Sequence, residues 1–311
     1  MNTLVTGSAG FIGSHIVDRV YMNDHEVYAA FRPEKNISNI LHIKDKITML
    51  PTDMQSEDHV KKMIEKSQPD IIYHMAAQSY VTISWKEPVR TMLTNVMGTM
   101  YLFEAVRKMG IDSKIIVACS SAEYGLTYEN EIPIKESKEF RPTSPYAVSK
   151  IGQDMLSYQY AKTYGMKIFR ARFFNITGPR KVNDACSDFI RRVVDIEKGK
   201  SQKLLVGNLE SVRDITDVQD CINGMNTILD KGKPDVYNIC SGNRYKIKDI
   251  VDIILSLSVV RVKPEQDPEK LRITDDPIFI GDNSKIKVLG WSQKIPIEKT
   301  LADMMEYWRK Q

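Results

Sequence analysis

The sequence predicts an α/β protein: a doubly wound parallel sheet followed by a smaller C-terminal α/β part. Three observations lead there. An apolar run, Thr3 to Thr6, passes through a glycine turn straight into a helical pattern, and this is the context in which a glycine motif carries meaning. Short apolar strands and helices then alternate as far as Phe173, the pattern of parallel strands joined by crossover helices. After 175 the rhythm changes to short elements between charged loops.

The elements follow in order. The first strand runs into G-S-A-G-F-I-G at 7–13, and a helix is read over Ser14 to Asn23. Gly7 permits the tight turn, Gly10 lets a pyrophosphate approach the backbone, and Gly13 lets helix and strand pack closely. With Phe11 and Ile12 these residues form a helix N-terminus that suits an anion. Glu26 to Phe31 is the second strand. Its tip, Ala29-Ala30-Phe31-Arg32, has no carboxylate for ribose hydroxyls. Arg32 suits a 2'-phosphate, which favours NADP(H) over NAD(H), with NAD(H) still open; Lys35 is a weaker second candidate.

Ile47 to Leu50 is a third strand, leading to Asp53, an acceptor for an adenine amino group, and Met54 beside it. Glu57 to Lys66 is helical. Asp70 to His74 is a fourth strand, ending in Met75-Ala76-Ala77, where small side chains let a flat ligand approach; His74 simply packs. Pro88 to Met109 reads as one long amphipathic helix, and its Asn95 is placed with the cofactor residues. Lys114 to Ala118 leads into Ser120, Ser121 and Ala122 at a carboxyl end of the sheet, where ligands bind. A polar loop, 126–144, precedes a helix from Tyr146 to about Tyr164. Met166 to Phe173 is a sixth strand. The remaining helices and strands are read at Phe189 to Lys198, Leu204 to Gly207, Asp217 to Leu229, Val236 to Ile239, Ile247 to Ser256 and Leu301 to Arg309. Residues 1–175 are read as a Rossmann-type dinucleotide-binding domain, and 176–311 mainly as the part that binds substrate.

The composition, 42% hydrophobic and 27% charged, is that of an ordinary globular protein. The net charge of +4 fits an anionic small ligand, and no dense basic run points to nucleic acid. Cys119, Cys186, Cys221 and Cys240 are scattered without metal-ligand spacing, so no metal is expected and the thiols read as reduced. No run of about 18 apolar residues suggests a membrane span. The expected compartment is the cytoplasm.

The chemistry centres on Tyr146 and Lys150. Four residues apart on a helix, they share one face. An ammonium near a phenol favours the phenolate, so the tyrosine pKa is expected to fall toward the range of a general acid/base.

These motifs together resemble the extended short-chain dehydrogenase/reductase superfamily. The resemblance is carried by G-S-A-G-F-I-G at 7–13, H-M-A-A-Q at 74–78, the Ser120 strand end, Y-A-V-S-K at 146–150 and F-N-I-T-G-P at 174–179. Within it the chain is similar to GDP-mannose 4,6-dehydratases and, more closely, to GDP-4-keto-6-deoxymannose reductases. The stretches behind this are A-Q-S-Y-V-T-I-S-W at 77–85, V-G-N-L-E-S-V-R-D-I-T-D-V at 206–218, Y-N-I-C-S-G at 237–242, Q-D-P-E-K-L-R at 266–272 and G-W-S-Q-K-I-P at 290–296. The resemblance implies that Tyr146 exchanges a proton with a sugar oxygen and Ser120 donates a hydrogen bond to that oxygen. Lys150 would hold the ribose hydroxyls. It also implies that Arg213 and Arg272 meet the substrate diphosphate, while Ser121, Ala122, Asn175 and Arg180 line the sugar-nucleotide site. Relatives pair through two long helices each, so a homodimer is expected through helices 90–109 and 146–164.

Two departures sharpen the reading. The dehydratases carry a glutamate where this chain has Ala122, which has no acid/base function. Glu123 is expected to leave a strand-like backbone on the opposite side, although a sharp turn there would let it stand in. Relatives often have histidine at the position of Ile176, and no histidine follows His74. The expected function is therefore NADP(H)-dependent reduction at C4 of a GDP-linked 4-keto-6-deoxyhexose. Dehydratase, 4-epimerase and non-catalytic dinucleotide-binding regulator are the alternatives.

Overall fold

The computed structural model describes residues 1–23, 26–267 and 277–311. The first half runs β1 (Asn2–Thr6), α1 (Phe11–Tyr21), β2 (Glu26–Phe31), β3 (Thr48–Pro51), α2 (Glu57–Ser67) and β4 (Ile71–His74). Then come α3 (Val81–Lys86), α4 (Pro88–Met92), a π turn (Leu93–Met97), α5 (Gly98–Lys108), β5 (Lys114–Ser120), α6 (Pro145–Tyr164) and β6 (Lys167–Phe173). The second half runs β7 (Asn175–Thr177), α7 (Ala185–Glu197), β8 (Leu204–Val206), β9 (Val212–Arg213), β10 (Ile215–Asp217), α8 (Val218–Lys231), β11 (Val236–Ile239) and β12 (Tyr245–Lys246). It closes with α9 (Ile247–Ser256), β13 (Pro264–Gln266), β14 (Ile278–Phe279), α10 (Ser284–Lys287) and α11 (Ile297–Arg309).

Seven strands form one parallel sheet in the order β11-β6-β5-β4-β1-β2-β3. Strand order reverses between β1 and β4, and in open parallel sheets the crevice at such a reversal holds ligands. The sheet is buried on both faces. Val5, Ile116 and Ala171 pack with α1 and α8 through Ile16, Val17 and Ile222. Leu4, Ile72 and Ile115 pack on the other side with Ile64, Leu102 and Phe103 of α2 and α5. A separate core joins α7, α9 and α11 through Ile190, Ile250 and Leu301.

Helix boundaries follow local chemistry. Helix α6 begins where Ser144 accepts from the Ala147 amide, with Pro145 in its first turn, and ends at Gly165 with φ 67°. Helix α1 starts at Phe11 rather than Ser14, because Gly10 is extended and acts as the cap. The segment expected as one helix over 88–109 contains a π turn, although the backbone stays helical through both junctions. Strand β11 pairs with β6. The chain therefore crosses back into the main sheet after 175, carrying α8 with it. Helix α3 and the short strands β7, β9, β10, β12, β13 and β14 add elements that apolar periodicity alone does not reveal. All four cysteines are free and buried.

Candidate active site

The turn after β1 is built for close approach. Gly7 has φ +67°, and a Cβ on it would come within 2.9 Å of the Ala76 backbone. A Cβ on Gly13 would lie 2.3 Å from the Gly7 carbonyl oxygen, so the first turn of α1 sits directly on the loop. The Gly10 amide donates to Gly7 O at 2.9 Å. Beyond Gly10, the amides of Phe11, Ile12 and Gly13 open the helix at the switch point, where a diphosphate fits. The donor set and the cradle therefore suit a dinucleotide. Arg32 is exposed at the end of β2, with Nε 3.8 Å from Glu34. Asp53 accepts from the Gln55 amide at 3.0 Å, and Met54 is buried beneath Gly98.

Asn95 is held by the protein itself. Its Oδ1 accepts from the Gln78 amide at 2.8 Å, and its Nδ2 donates to Gln78 O at 3.0 Å and Ser149 Oγ at 2.9 Å. Every polar atom of the fully buried amide is occupied within the protein. Asn95 supports the loop carrying Ala76 and Ala77 from behind, through Gln78.

Ser120, Tyr146 and Lys150 come together. Ser120 ends β5, and its side chain faces the Tyr146 phenol closely enough to lower the phenol's pKa. Its Oγ also accepts from the Ala122 amide at 3.2 Å. Lys150 Nζ lies 6.0 Å from the centre of the Tyr146 ring. It donates to Ala118 O and to Gln153 Oε1, each at 2.7 Å. The expected fall in the tyrosine pKa is overturned. Burial pushes the Tyr146 phenol up to about 12, and the nearby Ser120 side chain offsets only part of this. The ammonium is turned to the Ala118 carbonyl and Gln153, so its field does little for the phenol. Burial pushes the pKa of Lys150 itself down.

Behind Ser120 lies a second buried group. The backbone does turn sharply at Ser121–Glu123, but this turn carries Glu123 inward. The Glu123 side chain accepts from the Ser120 amide at 2.7 Å and has no exposure. Arg172 Nε lies 3.2 Å from Glu123 and 2.9 Å from Asp154, and Arg170 Nη1 lies 2.6 Å from Asp154. Burial pushes the Glu123 carboxyl well up, while the two guanidiniums hold Asp154 below the usual range despite its own burial. Glu123 is therefore not available to substitute for the missing carboxylate at 122.

On the substrate side Ser121 is buried and Ala122 half-buried. Asn175 is exposed, with its amide donating to Asp214 O at 2.8 Å. Arg213 is half-buried and donates to Val212 O. Arg180 has φ 71° and pairs with Asp18 of α1 at 2.8 Å, so its charge is already engaged by the first helix. Arg272 lies outside the described residues. Sequence reasoning missed Gln153, Thr99 and Asp214. The Asp214 carboxylate accepts from the Ser241 amide and hydroxyl, each at 2.7 Å, and from the Gly242 amide at 2.9 Å. His74, expected only to pack, bridges Thr6 and Thr99 at 2.9 Å on each side. The available signal was a polar side chain inside an otherwise apolar strand or helix face, which when buried demands a partner.

The family model described as GDP-mannose 4,6 dehydratase matches residues 4–304. A GDP-6-deoxy-D-mannose reductase of Pseudomonas aeruginosa is 29% identical over 308 residues, covering 98% of this chain and 96% of the relative. The structure of RMD from Pseudomonas aeruginosa complexed with NADPH superposes with a TM-score of 0.85 at 27% identity, over 99% of this chain and 98% of that one. The structure of a UDP-glucose 4-epimerase from Thermotoga maritima with UDP-glucose gives a TM-score of 0.91 at 28% identity, over 100% and 99%.

Proposed function

Because the chain belongs to the GDP-mannose 4,6 dehydratase family, we propose that it is the reductase of that chemistry. It would act at C4 of a GDP-linked 4-keto-6-deoxyhexose with NADPH. The observation that carries this is the gathering of Ser120, Tyr146 and Lys150 beside an alanine at 122, with Glu123 locked in the core. Ketone reduction needs a proton donor at the carbonyl oxygen and a hydrogen bond to that oxygen. It needs no base for a C5 proton, which dehydration requires.

A phenol held at about 12 keeps its proton at neutral pH, and that suits donation to a ketone oxygen. Ser120 would hold the same oxygen. Lys150 has one N–H bond beyond the two it uses, available to a ribose hydroxyl. The nicotinamide dinucleotide, when bound, supplies the hydride. Arg32 supports NADPH over NADH, since its exposed guanidinium ends β2 where a carboxylate would otherwise read the ribose. Arg213 would meet the substrate diphosphate, with Arg272 as the second fork, and Asn175 the sugar. The part from 176 onward would mainly bind the sugar nucleotide.

The partner is a second copy of the chain. Trp85 and Val89 are 64% and 71% exposed, and Val148, Met155 and Tyr158 continue an apolar face onto α6. Joined with its twin, that face makes a four-helix interface. No helix among the described residues is long and apolar enough to cross a membrane, and the four buried free thiols suit a reducing cytoplasm.

The test uses purified protein with two substrates. GDP-4-keto-6-deoxymannose with NADPH is expected to give the GDP-6-deoxyhexose with matching NADPH loss, more slowly with NADH. GDP-mannose alone is expected to remain unconverted; formation of a 4-keto-6-deoxy product from it would overturn the reading of Ala122. A 4-epimerase, which needs the same three residues, would instead interconvert C4 epimers without net NADPH loss.

A further inference from the structure

Lys150 is 2% exposed, and its two partners are neutral oxygens, the Ala118 carbonyl and the Gln153 side chain. Behind Gln153 runs a buried line of hydrogen bonds, and one set of directions satisfies every hydroxyl and imidazole donor in it. Thr99 has one hydroxyl proton and donates it to Asn95 O at 2.7 Å. With that proton used, Thr99 accepts from Gln153 Nε2 at 2.8 Å and from His74 Nε2 at 2.9 Å. His74 then carries its proton on Nε2, and its Nδ1 accepts from Thr6 Oγ1 at 2.9 Å. Thr6 Oγ1 in turn accepts from the Ala76 amide at 3.1 Å. Because the Gln153 amide must donate to Thr99, its oxygen must face Lys150. Gln153, Thr99, His74 and Thr6 are all 0% exposed, so water does not compete for these bonds.

We propose that Gln153 is a positioning residue for Lys150, fixing which two N–H bonds of the ammonium stay inside the protein and which one is left for a ligand hydroxyl. Thr99, His74 and Thr6 tie that choice to the loop at Ala76, so the lysine and the dinucleotide cradle are set by one network. The inference rests on the reading of Lys150 as part of the catalytic machinery.

The groups that face the ammonium are Cys119 from β5, Glu123 from the turn after it, His74 from β4 and Tyr146 from one turn earlier on α6. Burial pushes the Cys119 thiol and the Glu123 carboxyl well up, and it pushes His74 down to about 3, so the imidazole is neutral. The phenol keeps its proton up to about 12. Both hydrogen-bond partners of the ammonium are neutral carbonyl oxygens, so within the protein it is held by their dipoles. An acceptor favours the charged form, so removing the Gln153 oxygen lowers the pKa of Lys150.

The test is a pH titration of protein labelled with [ε-13C]lysine, followed by NMR, with Lys150 assigned through Lys150→Arg. Gln153→Met keeps length and removes the acceptor. Its Lys150 midpoint is expected to fall by about one pH unit, a tenfold change in the equilibrium. Thr99→Val leaves Gln153 in place but frees its amide to turn, and it should move the midpoint the same way by less. Gln153→Glu restores an acceptor and should return the midpoint to the wild-type value or above. The alkaline limb of kcat/KM should follow these shifts. A Lys150 midpoint unmoved in both Gln153→Met and Thr99→Val overturns the proposal, and Thr99→Val keeps it testable if Gln153→Met does not fold. A midpoint that moves while the kinetic limb stays put upholds the positioning role and removes Lys150 from the reaction instead.

Discussion

Two buried groups of charge flank the end of β5, and they are built on opposite plans. On one side Lys150 meets neutral oxygens. On the other, Arg170 and Arg172 are answered by charges of opposite sign. Arg172 reaches Asp154, and Arg170 reaches Asp154 and, at 3.4 Å, Asp235. Arg172 also lies 3.2 Å from Glu123 and Lys285 shares Asp235, yet burial still pushes the Glu123 carboxyl well up. Arg172 also donates to Tyr124 Oη and Glu136 O, each at 3.0 Å, and Tyr124 donates to Asn238 at 2.6 Å. That group fastens β5, α6, β6 and β11 to one another. A charge cancelled in place is cement, whereas a charge held only by dipoles keeps interaction energy for what arrives later.

The largest expected effect tests which side does the chemistry. Tyr146→Phe should lower the reductase rate by about 10³-fold while leaving dinucleotide binding intact, as loss of a positioned proton donor does. Single-turnover kinetics beside a cofactor-binding titration checks both halves. A rate that survives would mean that the Lys150 side is not the working side.

A crossed pair of substitutions sharpens the contrast. Arg172→Met takes one of the two guanidiniums from buried Asp154 and the only one from Glu123, and breaking a buried pair from one side costs about 3–5 kcal/mol. Lys150→Met removes a buried cation whose partners are neutral, so stability should change by only about 1 kcal/mol while activity is lost. Urea denaturation gives the first quantity and initial rates the second. If Lys150→Met destabilises as much as Arg172→Met, the two plans are not different in kind.

The legible part of this architecture was the part with a period or a spacing. The glycine turn, the strands facing helices on both sides and the Y-x-x-x-K face all repeat at intervals that geometry requires. The arginine cluster was not legible. Arg170 and Arg172 point inward from β6, and nothing local distinguishes an arginine with two buried acids from one at a solvated edge. The partners, Asp154 and Asp235, lie 16 and 65 positions from Arg170. The direction of the Tyr146 shift was misjudged for the same reason: spacing placed a lysine on the right face, but Ala118 and Gln153 decide where its ammonium points. The return of β11 to the sheet was equally hidden, since a four-residue apolar strand carries no mark of which sheet it joins.

The smallest expected effect moves the paired plan to the surface. Glu197 near the end of α7 accepts from Arg309 Nε at 2.8 Å and Nη2 at 2.7 Å, and from Ser258 Oγ at 2.8 Å. The Arg309 hydrogen bonds, which outweigh burial, hold its carboxyl at about 2 instead of the usual 4.5. A depressed carboxylate pKa adds stability that is present above the unfolded value and fades as pH falls toward the folded one. Glu197→Gln should therefore cost about 1–2 kcal/mol near pH 7, a figure reduced for the solvent that reaches Arg309. The gap between variant and wild type should close as pH drops from about 5 to 2. Urea denaturation across that window measures it. A gap that stays constant would assign the contribution to packing and the Ser258 contact, and the argument that paired charge acts as cement would then hold only where water is excluded.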